Sequence, residues 1–254
     1  MTYTCMTTFG PEYYEKYGRE SVATMAQHWP GRVVAYGEGK KPPGLPERVE
    51  YRDLFAQWEF AAYLKWTGNV PLLRGVLPNG SYNYHFNMHK FGRKVFAITD
   101  MHEPFFFLGA DVHVLKPIPE AFLAGMLDGK FGAFLFRKGL HTESDFAGYN
   151  TGHPGWRDFA HNYRTLYTHG SVLALPVIDK QVTGFHDCWS LDYLLRELDL
   201  LKDCTNITGD AKGDDEKGFH VWPKTPLAEY MVHLKGRIKK DPEKKARALE
   251  GSAA

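Results

Sequence analysis

The stretch Phe105-Phe-Phe-Leu-Gly-Ala-Asp111-Val-His113 decides the fold of this chain. Its uncharged, aromatic-rich beginning predicts a buried strand, which ends on an acid and a histidine two residues apart. Residues i and i+2 of an extended segment lie on the same face, so the Asp111 carboxylate and the His113 imidazole are placed to bind one divalent cation. Open α/β sheets bind their ligands at this carboxyl end of the strands. On spacing alone, a strand that ends at a polar turn explains these residues equally well.

Length and composition favour one α/β domain. The 254 residues contain no linker rich in Pro, Gly and Ser, and 43% hydrophobic residues are enough for one packed core. The 31 basic and 30 acidic residues nearly cancel, which argues against a protein that coats nucleic acid through a global positive field.

The cysteines and the hydropathy pattern predict a cytoplasmic protein. Cys5, Cys188 and Cys204 are odd in number and widely spaced, which is not typical of a disulfide framework or a zinc knuckle. The sequence has no charged-then-apolar leader and no apolar run of 18 residues, so we expect neither secretion nor a membrane span.

The beginning of the chain predicts a parallel βαβ unit, with a strand at 3–9, a helix at 12–28, a strand at 32–36 and a loop at 37–46. Further predicted helices lie at 51–66, 87–99, 117–127, 154–167 and 187–200, further strands at 132–136 and 147–150, and a mobile loop at 202–217. From residue 241 onward the Lys, Glu and Ala content predicts a flexible C-terminal tail, either a frayed helix or disorder.

A second segment, Thr225-Pro-Leu-Ala-Glu-Tyr-Met-Val-His233-Leu-Lys235-Gly236-Arg237-Ile-Lys239-Lys240, completes a family pattern. With the Asp111 segment it resembles the metal-dependent nucleotide-sugar glycosyltransferases of the GT-A fold. In that superfamily an Asp-x-Asp or Asp-x-His motif ends a central strand, and a later His followed by Lys-Gly completes the cation and pyrophosphate site. The resemblance implies a single GT-A (Rossmann-like) domain over residues 1–240, with a mixed, mainly parallel central sheet flanked by helices.

The resemblance also implies the ligands of the donor site. Asp111, His113 and His233 become the ligands of Mn²⁺ or Mg²⁺. The residues expected to contact the UDP-sugar donor are Thr7, Thr8, Phe9, Lys94, Ala110, Lys235 and Gly236. One departure is Gly109, where many members carry the first acid. Either His113 takes over its task, or the metal is held more weakly, or metal dependence has been lost.

Two carboxylates are candidates for the catalytic step. Asp187 lies in Gly184-Phe-His-Asp187, which resembles the segment that supplies the general base, and an N-cap at the start of a helix is the competing interpretation. Glu143 and Asp145 lie in a segment that resembles the acceptor-side loop and form the second choice, better suited to binding hydroxyls than to taking a proton. His141 in the same loop is interpreted as an ordinary surface residue.

The acceptor is the least determined part of the function. Chains with these motifs resemble small transferases of phage and bacterial genomes, so the leading hypothesis is a 5-hydroxymethylated pyrimidine in phage DNA. The seven Lys and Arg residues from Lys235 to Arg247 would suit a phosphate backbone, and Trp156, Tyr149 or Trp189 would fill or line the gap left by a flipped base. The alternatives are a saccharide or lipid-linked acceptor, or a non-catalytic module that binds sugar nucleotides.

Overall fold

The fold is that of a computed structural model, which describes residues 2–137, 140–174, 184–209, 220–236, 238 and 241–250. Its strands are β1 Thr4–Thr8, β2 Val33–Gly37, β3 Val49–Asp53, β4 Phe105–Leu108, β5 Val112–Val114, β6 Gly132–Leu135, β7 Glu143–Tyr149, β8 Cys204–Asn206 and β9 Met231–His233. Seven of these form one sheet in the order β3-β2-β1-β4-β7-β6-β8, and β5 pairs with β9 in a separate ribbon.

The central sheet is mixed and mainly parallel. Within the described residues, β7 is the one strand of this sheet that runs antiparallel to its neighbours β4 and β6. The predicted α/β domain with a mixed, mainly parallel sheet is therefore confirmed. The reversed strand matters for function because its amino end lies at the same edge as the carboxyl ends of β4 and β6.

Helices cover both faces of the sheet. They are α1 Pro11–Tyr13, α2 Arg19–His28, α3 Trp58–Gly68, α4 Met88–Thr99, α5 Glu120–Leu127, α6 Trp156–Thr168, α7 Asp187–Glu197 and α8 Pro242–Glu250. One π-helical turn, Tyr14–Gly18, joins α1 to α2. Among the described helices, none is both long enough and apolar enough to cross a membrane.

The strand at the centre of the sheet is buried on both faces. Phe105 and Phe107 pack into the core beneath α3, α4, α6 and α7, whereas Phe106 and Leu108 pack into the core beneath α2 and α5. This alternation is the one that an extended strand imposes. The continuous aromatic run therefore reflects a strand with helices on both sides, as in parallel sheets generally.

The helix predicted at 51–66 is wrong over its first residues. Val49–Asp53 is a strand that pairs in parallel with β2, and the helix begins only at Trp58. Apolar residues at helical spacing extend back to Tyr51, which is why the pattern favoured a longer helix. The Asp53 side chain ends the strand by accepting a hydrogen bond from the Phe55 amide.

Two further segments differ from the sequence prediction. The predicted loop at 202–217 contains the edge strand β8 at Cys204–Asn206, and its residues from 210 onward lie outside the described part of the chain. The predicted strand at 147–150 begins earlier, at Glu143, because its polar first residues belong to β7. The flexible tail stays a prediction; residues 242–250 form α8, and Lys245 contacts Glu20.

Candidate active site

Charged side chains from three strands meet at the carboxyl edge of the central sheet. Asp111 follows β4, Asp145 lies near the amino end of β7, and His233 ends β9. His233 Nε2 lies 3.6 Å from Asp111 Oδ1 and 3.4 Å from Asp145 Oδ2. The Tyr13 hydroxyl donates a hydrogen bond of 2.8 Å to Asp111 Oδ2. Two carboxylates thus face the same buried imidazole nitrogen.

His113 does not join this cluster. In the β5–β9 ribbon Val112 pairs with His233, and His113 pairs with Val232. Directly opposed residues share a face and successive residues alternate, so His113 and His233 lie on opposite faces of the ribbon. Burial, and then the Lys245 ammonium, lowers the pKa of His113 to about 4. The reasoning from i, i+2 spacing failed because the acid lies in the turn before β5 and not on an extended strand.

Asp145 lies beside Gly109 and Asp111 at the end of β4. The Gly109 amide donates a hydrogen bond of 2.8 Å to the Asp145 carbonyl, so the two residues oppose each other at the end of the β4–β7 pair. A Cβ on Gly109 would lie 3.1 Å from Asp111 Oδ1 and 3.2 Å from Asp145 Oδ1. The carboxylate from β7 therefore occupies the space beside Asp111 that a side chain at position 109 would need.

Lys94 of α4 connects this cluster to Asp187. Its ammonium lies 2.6 Å from Asp187 Oδ2 and 3.3 Å from Asp145 Oδ1, and it donates a hydrogen bond of 2.9 Å to Ser144 Oγ. Burial disfavours the charged amine, but Asp187 and Asp145 outweigh it and hold the pKa of Lys94 well above its ordinary value. Lys94 is therefore a cation shared between two carboxylates.

Glu143 is enclosed by cations. Its Oε2 atom accepts from Lys235 Nζ at 2.5 Å and from Arg137 Nη1 at 3.1 Å. Burial raises the pKa of Glu143, but Arg137, Lys235 and His233 together hold it well below the usual range. Glu143 is thus a stable carboxylate that fixes Lys235 near the Asp111 cluster, and its low pKa makes it a weak base.

Asp187 is the first residue of α7, and His186 holds the N-cap position without a side-chain cap. Asp187 is therefore not the N-cap residue of α7, and its carboxylate forms an ion pair with Lys94. Burial raises the pKa of Asp187, and the Lys94 charge and hydrogen bond lower it further than burial raises it. Asp187 is consequently an ionised carboxylate, 2% exposed, at the edge of the cluster.

Thr7 and Thr8 end β1 at the same edge of the sheet. The hydroxyl oxygens of both are buried and have no hydrogen-bond partner within the described part of the chain. Phe9 is 4% exposed and packs on Tyr14 with ring centroids 4.7 Å apart. The two hydroxyls are therefore buried and unsatisfied within the described residues, and the Phe9 ring belongs to the core.

Ala110 and Gly236 contribute backbone. Ala110 is buried, and Gly236 adopts a left-handed conformation with φ +60° and open space around its Cβ position. Such a conformation favours glycine, and this one is exposed. The predicted basic residues Arg237, Lys239 and Lys240 lie outside the described residues.

Sequence reasoning missed three features of this cluster, namely Tyr13, Arg137 and the place of Asp145 beside His233. Tyr13 lies 98 positions before Asp111, so no local spacing connects them. A signal for Asp145 was present in Gly109, since a missing acid in one strand invites a search for an acid on the neighbouring strand.

The aromatic residues proposed to replace a flipped base are in the core. Trp156, Tyr149 and Trp189 are 8%, 0% and 4% exposed. Tyr149 and Trp156 pack against each other beneath α6, with ring centroids 5.7 Å apart. None of the three is therefore placed to enter a DNA duplex.

Comparison with known proteins gives a similarity of structure only. No family model matches the sequence, and no curated protein does. Mouse xyloside xylosyltransferase 1 has a TM-score of 0.45 at 10% identity, over 78% of this chain and 82% of that chain. The glycosyltransferase GlyE of Streptococcus pneumoniae has a TM-score of 0.45 at 10% identity, over 81% of this chain and 45% of that chain.

The bifunctional glycosyltransferase WbbM has a TM-score of 0.49 at 9% identity, over 92% of this chain and 46% of that chain. This chain therefore spans less than half the length of GlyE and of WbbM. These similarities are too low to support an argument about activity, which depends on the residues at the sheet edge.

Proposed function

We propose that this protein is a glycosyltransferase that moves a sugar from a UDP-sugar donor to a hydroxyl acceptor. The observation that carries the proposal is the convergence of Asp111, Asp145 and His233 on one point at the carboxyl edge of the sheet. This is the edge at which open α/β sheets bind nucleotides. Beside it lie the cations Lys94 and Lys235, and β1 ends at the same edge with two hydroxyls that have no hydrogen-bond partner among the described residues.

The side chains of Asp111, Asp145 and His233 fit a hard divalent cation, Mn²⁺ or Mg²⁺. Two carboxylates and one imidazole suit such ions, and three protein ligands leave coordination positions for phosphate oxygens and water. Separations of 3.4 and 3.6 Å between His233 Nε2 and the carboxylates are within the span of two ligands on one ion. When bound, the cation would neutralise charge on the leaving nucleoside diphosphate.

The remaining donor contacts come from the residues around that point. Lys235 is held by Glu143 at 2.5 Å with its side chain partly exposed, so its ammonium is fixed beside the proposed diphosphate position. Gly236, which follows it, is exposed, with open space around its Cβ position. We assign the buried Thr7 and Thr8 hydroxyls to the base of the nucleotide, because a ligand would satisfy polar atoms that are otherwise costly to bury.

Asp187 is proposed as the group that receives the proton of the acceptor hydroxyl. It is ionised, which is the form that accepts a proton, and Lys94 fixes its position at 2.6 Å. The same ion pair lowers its basicity, so departure of the diphosphate has to supply much of the driving force. Glu143, neutralised by Arg137 and Lys235, orients the site and does not exchange a proton.

The structure weakens the arguments for a DNA acceptor, and it favours no other acceptor in its place. In α8 the described basic side chains contact acids, namely Lys244 with Asp241, Lys245 with Glu20 and Arg247 with Glu243. A cation already paired releases fewer counterions on binding phosphate. A saccharide hydroxyl and a hydroxymethylated base therefore enter the test as equal candidates.

Calorimetric titration of UDP, with and without Mn²⁺, tests the donor site. The variants are Asp111→Asn and Asp145→Asn, and the matched control is Asp158→Asn on the exposed face of α6. We expect Mn²⁺-dependent binding in the wild type and the control, and a loss of about tenfold or more in both site variants. UDP binding that is unchanged by omitting Mn²⁺ and by Asp111→Asn would refute the metal site. Absence of any UDP binding would refute the proposal that the donor is a UDP-sugar.

Transfer is tested separately, with UDP-sugars offered against hydroxymethylated DNA and against saccharides. We expect Asp187→Asn to keep donor binding and to lose transfer to the accepted hydroxyl. Donor binding by the wild type without hydrolysis or transfer to any acceptor would instead indicate a non-catalytic binding module.

A further inference from the structure

A second cluster of metal-ligating side chains lies outside the proposed donor site. His141, His186 and Cys188 each offer one ligand atom, and the three atoms lie within 4.8 Å of one another. His141 precedes β7, whereas His186 and Cys188 lie at the start of α7. We propose that these three side chains bind one zinc ion, which joins the segment before β7 to the start of α7.

The burial of His186 supports a ligand at this place. The residue is 3% exposed, and its Nε2 atom has no hydrogen-bond partner among the described residues. Its ring packs against His141 at 4.4 Å and against His85 at 5.3 Å between centroids. Neither neighbouring imidazole is shown to bond to this nitrogen, and a buried nitrogen without a partner destabilises the folded state. A metal bond would use that nitrogen.

The imidazole of His186 is in the state that a metal ligand needs, whereas the thiol of Cys188 has to lose its proton. Burial, and then the neighbouring His141, lowers the pKa of His186 to about 3, so its imidazole is neutral, as a metal ligand must be. Burial and the nearby Asp187 and Glu143 carboxylates raise the pKa of Cys188 to about 12. The bound zinc would have to overcome this raised pKa: the thiol would release its proton to solvent as the sulfur–zinc bond forms, and the charge on zinc would stabilise the thiolate.

The position of Cys188 helps that ionisation. It is the second residue of α7, a helix of 11 residues, and the amides of a first turn stabilise a thiolate. Its Sγ atom lies 3.0 Å from Ser144 Oγ, so a hydroxyl is in place to donate to the thiolate. Charges facing the sulfur are mixed, with Asp187 and Glu143 negative and Arg137 and Lys94 positive.

The ligand chemistry selects zinc over the hard cations of the donor site. Two imidazoles and one thiolate form the mixed nitrogen and sulfur set that zinc prefers, and a fourth position is left for water. Tetrahedral zinc needs ligand separations of about 3.3–3.8 Å, so small side-chain rotations close the site. The ion would lie among the residues that position Glu143 and Asp187.

Cobalt titration of protein freed of metal with a chelator tests the site independently of any activity. A cobalt–thiolate bond gives a near-ultraviolet charge-transfer band, and tetrahedral cobalt gives intense visible bands. We expect both in the wild type, with displacement by added zinc. Cys188→Ser should abolish the charge-transfer band, whereas the matched control Cys204→Ser, whose thiol donates to the Leu200 carbonyl, should keep it.

Two further variants separate this proposal from the donor site. Asp111→Asn should lose Mn²⁺-dependent UDP binding and keep the cobalt–thiolate band, because its ligands belong to the other cluster. His186→Asn should lose the visible bands of tetrahedral cobalt. Circular dichroism confirms that each variant is folded. Absence of the charge-transfer band in folded wild type, or its persistence in Cys188→Ser, would overturn the zinc site and leave the UDP result unaffected.

Discussion

Gly109 has no side chain at a point where two carboxylates approach. The nearest atoms to a Cβ at this position are Asp111 Oδ1 at 3.1 Å and Asp145 Oδ1 and Cβ at 3.2 and 3.3 Å. Such distances force a neighbour to shift by a few tenths of an ångström, and these neighbours are the proposed metal ligands. Metal sites tolerate ligand displacements poorly.

Gly109→Ala is therefore expected to weaken Mn²⁺-dependent UDP binding by about tenfold. The matched control is Gly125→Ala, because the Cβ position of Gly125 meets no atom within 4 Å. Calorimetric titration of both variants measures the difference. Equal affinity in Gly109→Ala and wild type would show that the Asp145 carboxylate is not confined by this glycine.

His89 gives a test of acid stability away from the proposed site. Its Nδ1 atom lies 2.9 Å from Thr67 Oγ1, and burial, Arg93 and Arg74 lower its pKa to about 4. Because the folded pKa lies below the unfolded one, the stabilisation is present above about pH 6.5 and is lost as the pH falls towards 4. Partial exposure limits the effect to about 1 kcal/mol.

We expect His89→Gln to flatten the dependence of the unfolding free energy on pH between 6.5 and 4. Urea unfolding at several pH values measures it. His102→Gln is the control, since His102 is exposed and lies at the opposite edge of the sheet. An unchanged slope in His89→Gln would contradict the lowered pKa.

The parts of the site that the sequence identified are those encoded locally. Asp111 ends an apolar strand, and His233 and Lys235 belong to one short motif, so each was visible without the fold. Asp145 was visible as an acid, but its place beside Asp111 depends on the antiparallel pairing of β7 with β4. Strand pairing over such a distance leaves no periodic signal in the sequence.

The close packing of α4 against α3 depends on a glycine, Gly92. A Cβ on Gly92 would lie 2.3 Å from the Tyr63 ring, and the Tyr63 hydroxyl donates to the Met88 carbonyl. The helices can therefore approach only because position 92 lacks a side chain. Lys94, one half-turn further along α4, depends on this packing for its position between two carboxylates.

Gly92→Ala is expected to lower the free energy of unfolding by about 2–3 kcal/mol, because overpacking has to move a buried ring. Gly125→Ala in the middle of α5 meets open space and should stabilise the protein by up to about 1 kcal/mol through helix propensity. Urea unfolding of the two variants gives the comparison. The same sign of change in both would contradict the close packing of α4.

The elements themselves were predictable where periodicity was strong and flanked by turns. The initial βαβ unit and the β4 strand have such patterns. The first residues of the predicted helix at 51–66 were wrong because Tyr51 fits both a helical stripe and a strand, and only pairing with β2 selects the strand. The three-residue edge strand β8 is too short to have a period.

For the whole molecule, donor binding should appear as thermal stabilisation. A ligand at about 100 times its dissociation constant adds about 2.7 kcal/mol to the folded state, which corresponds to about 5–10 °C for a chain of this size. We expect this rise in melting temperature with UDP and Mn²⁺ together, but not with either alone.

Asp111→Asn should remove the rise, and Asp158→Asn should retain it. Differential scanning fluorimetry with and without a chelator measures these shifts. A rise with UDP alone, unaffected by chelator, would mean that the nucleotide binds without the proposed cation.

The proposed metal ligands come from parts of the chain that are far apart. Asp111, Asp145 and His233 reach one another only after β7 has paired with β4 and β9 has paired with β5. Contacts of such long sequence separation carry a loop-closure cost, which has to be met before the contacts stabilise the chain. The proposed cation would therefore meet its three ligands only in a chain whose strands have paired, and a chain lacking β9 would have no third ligand. Tight manganese binding would thus report that the last strand has docked.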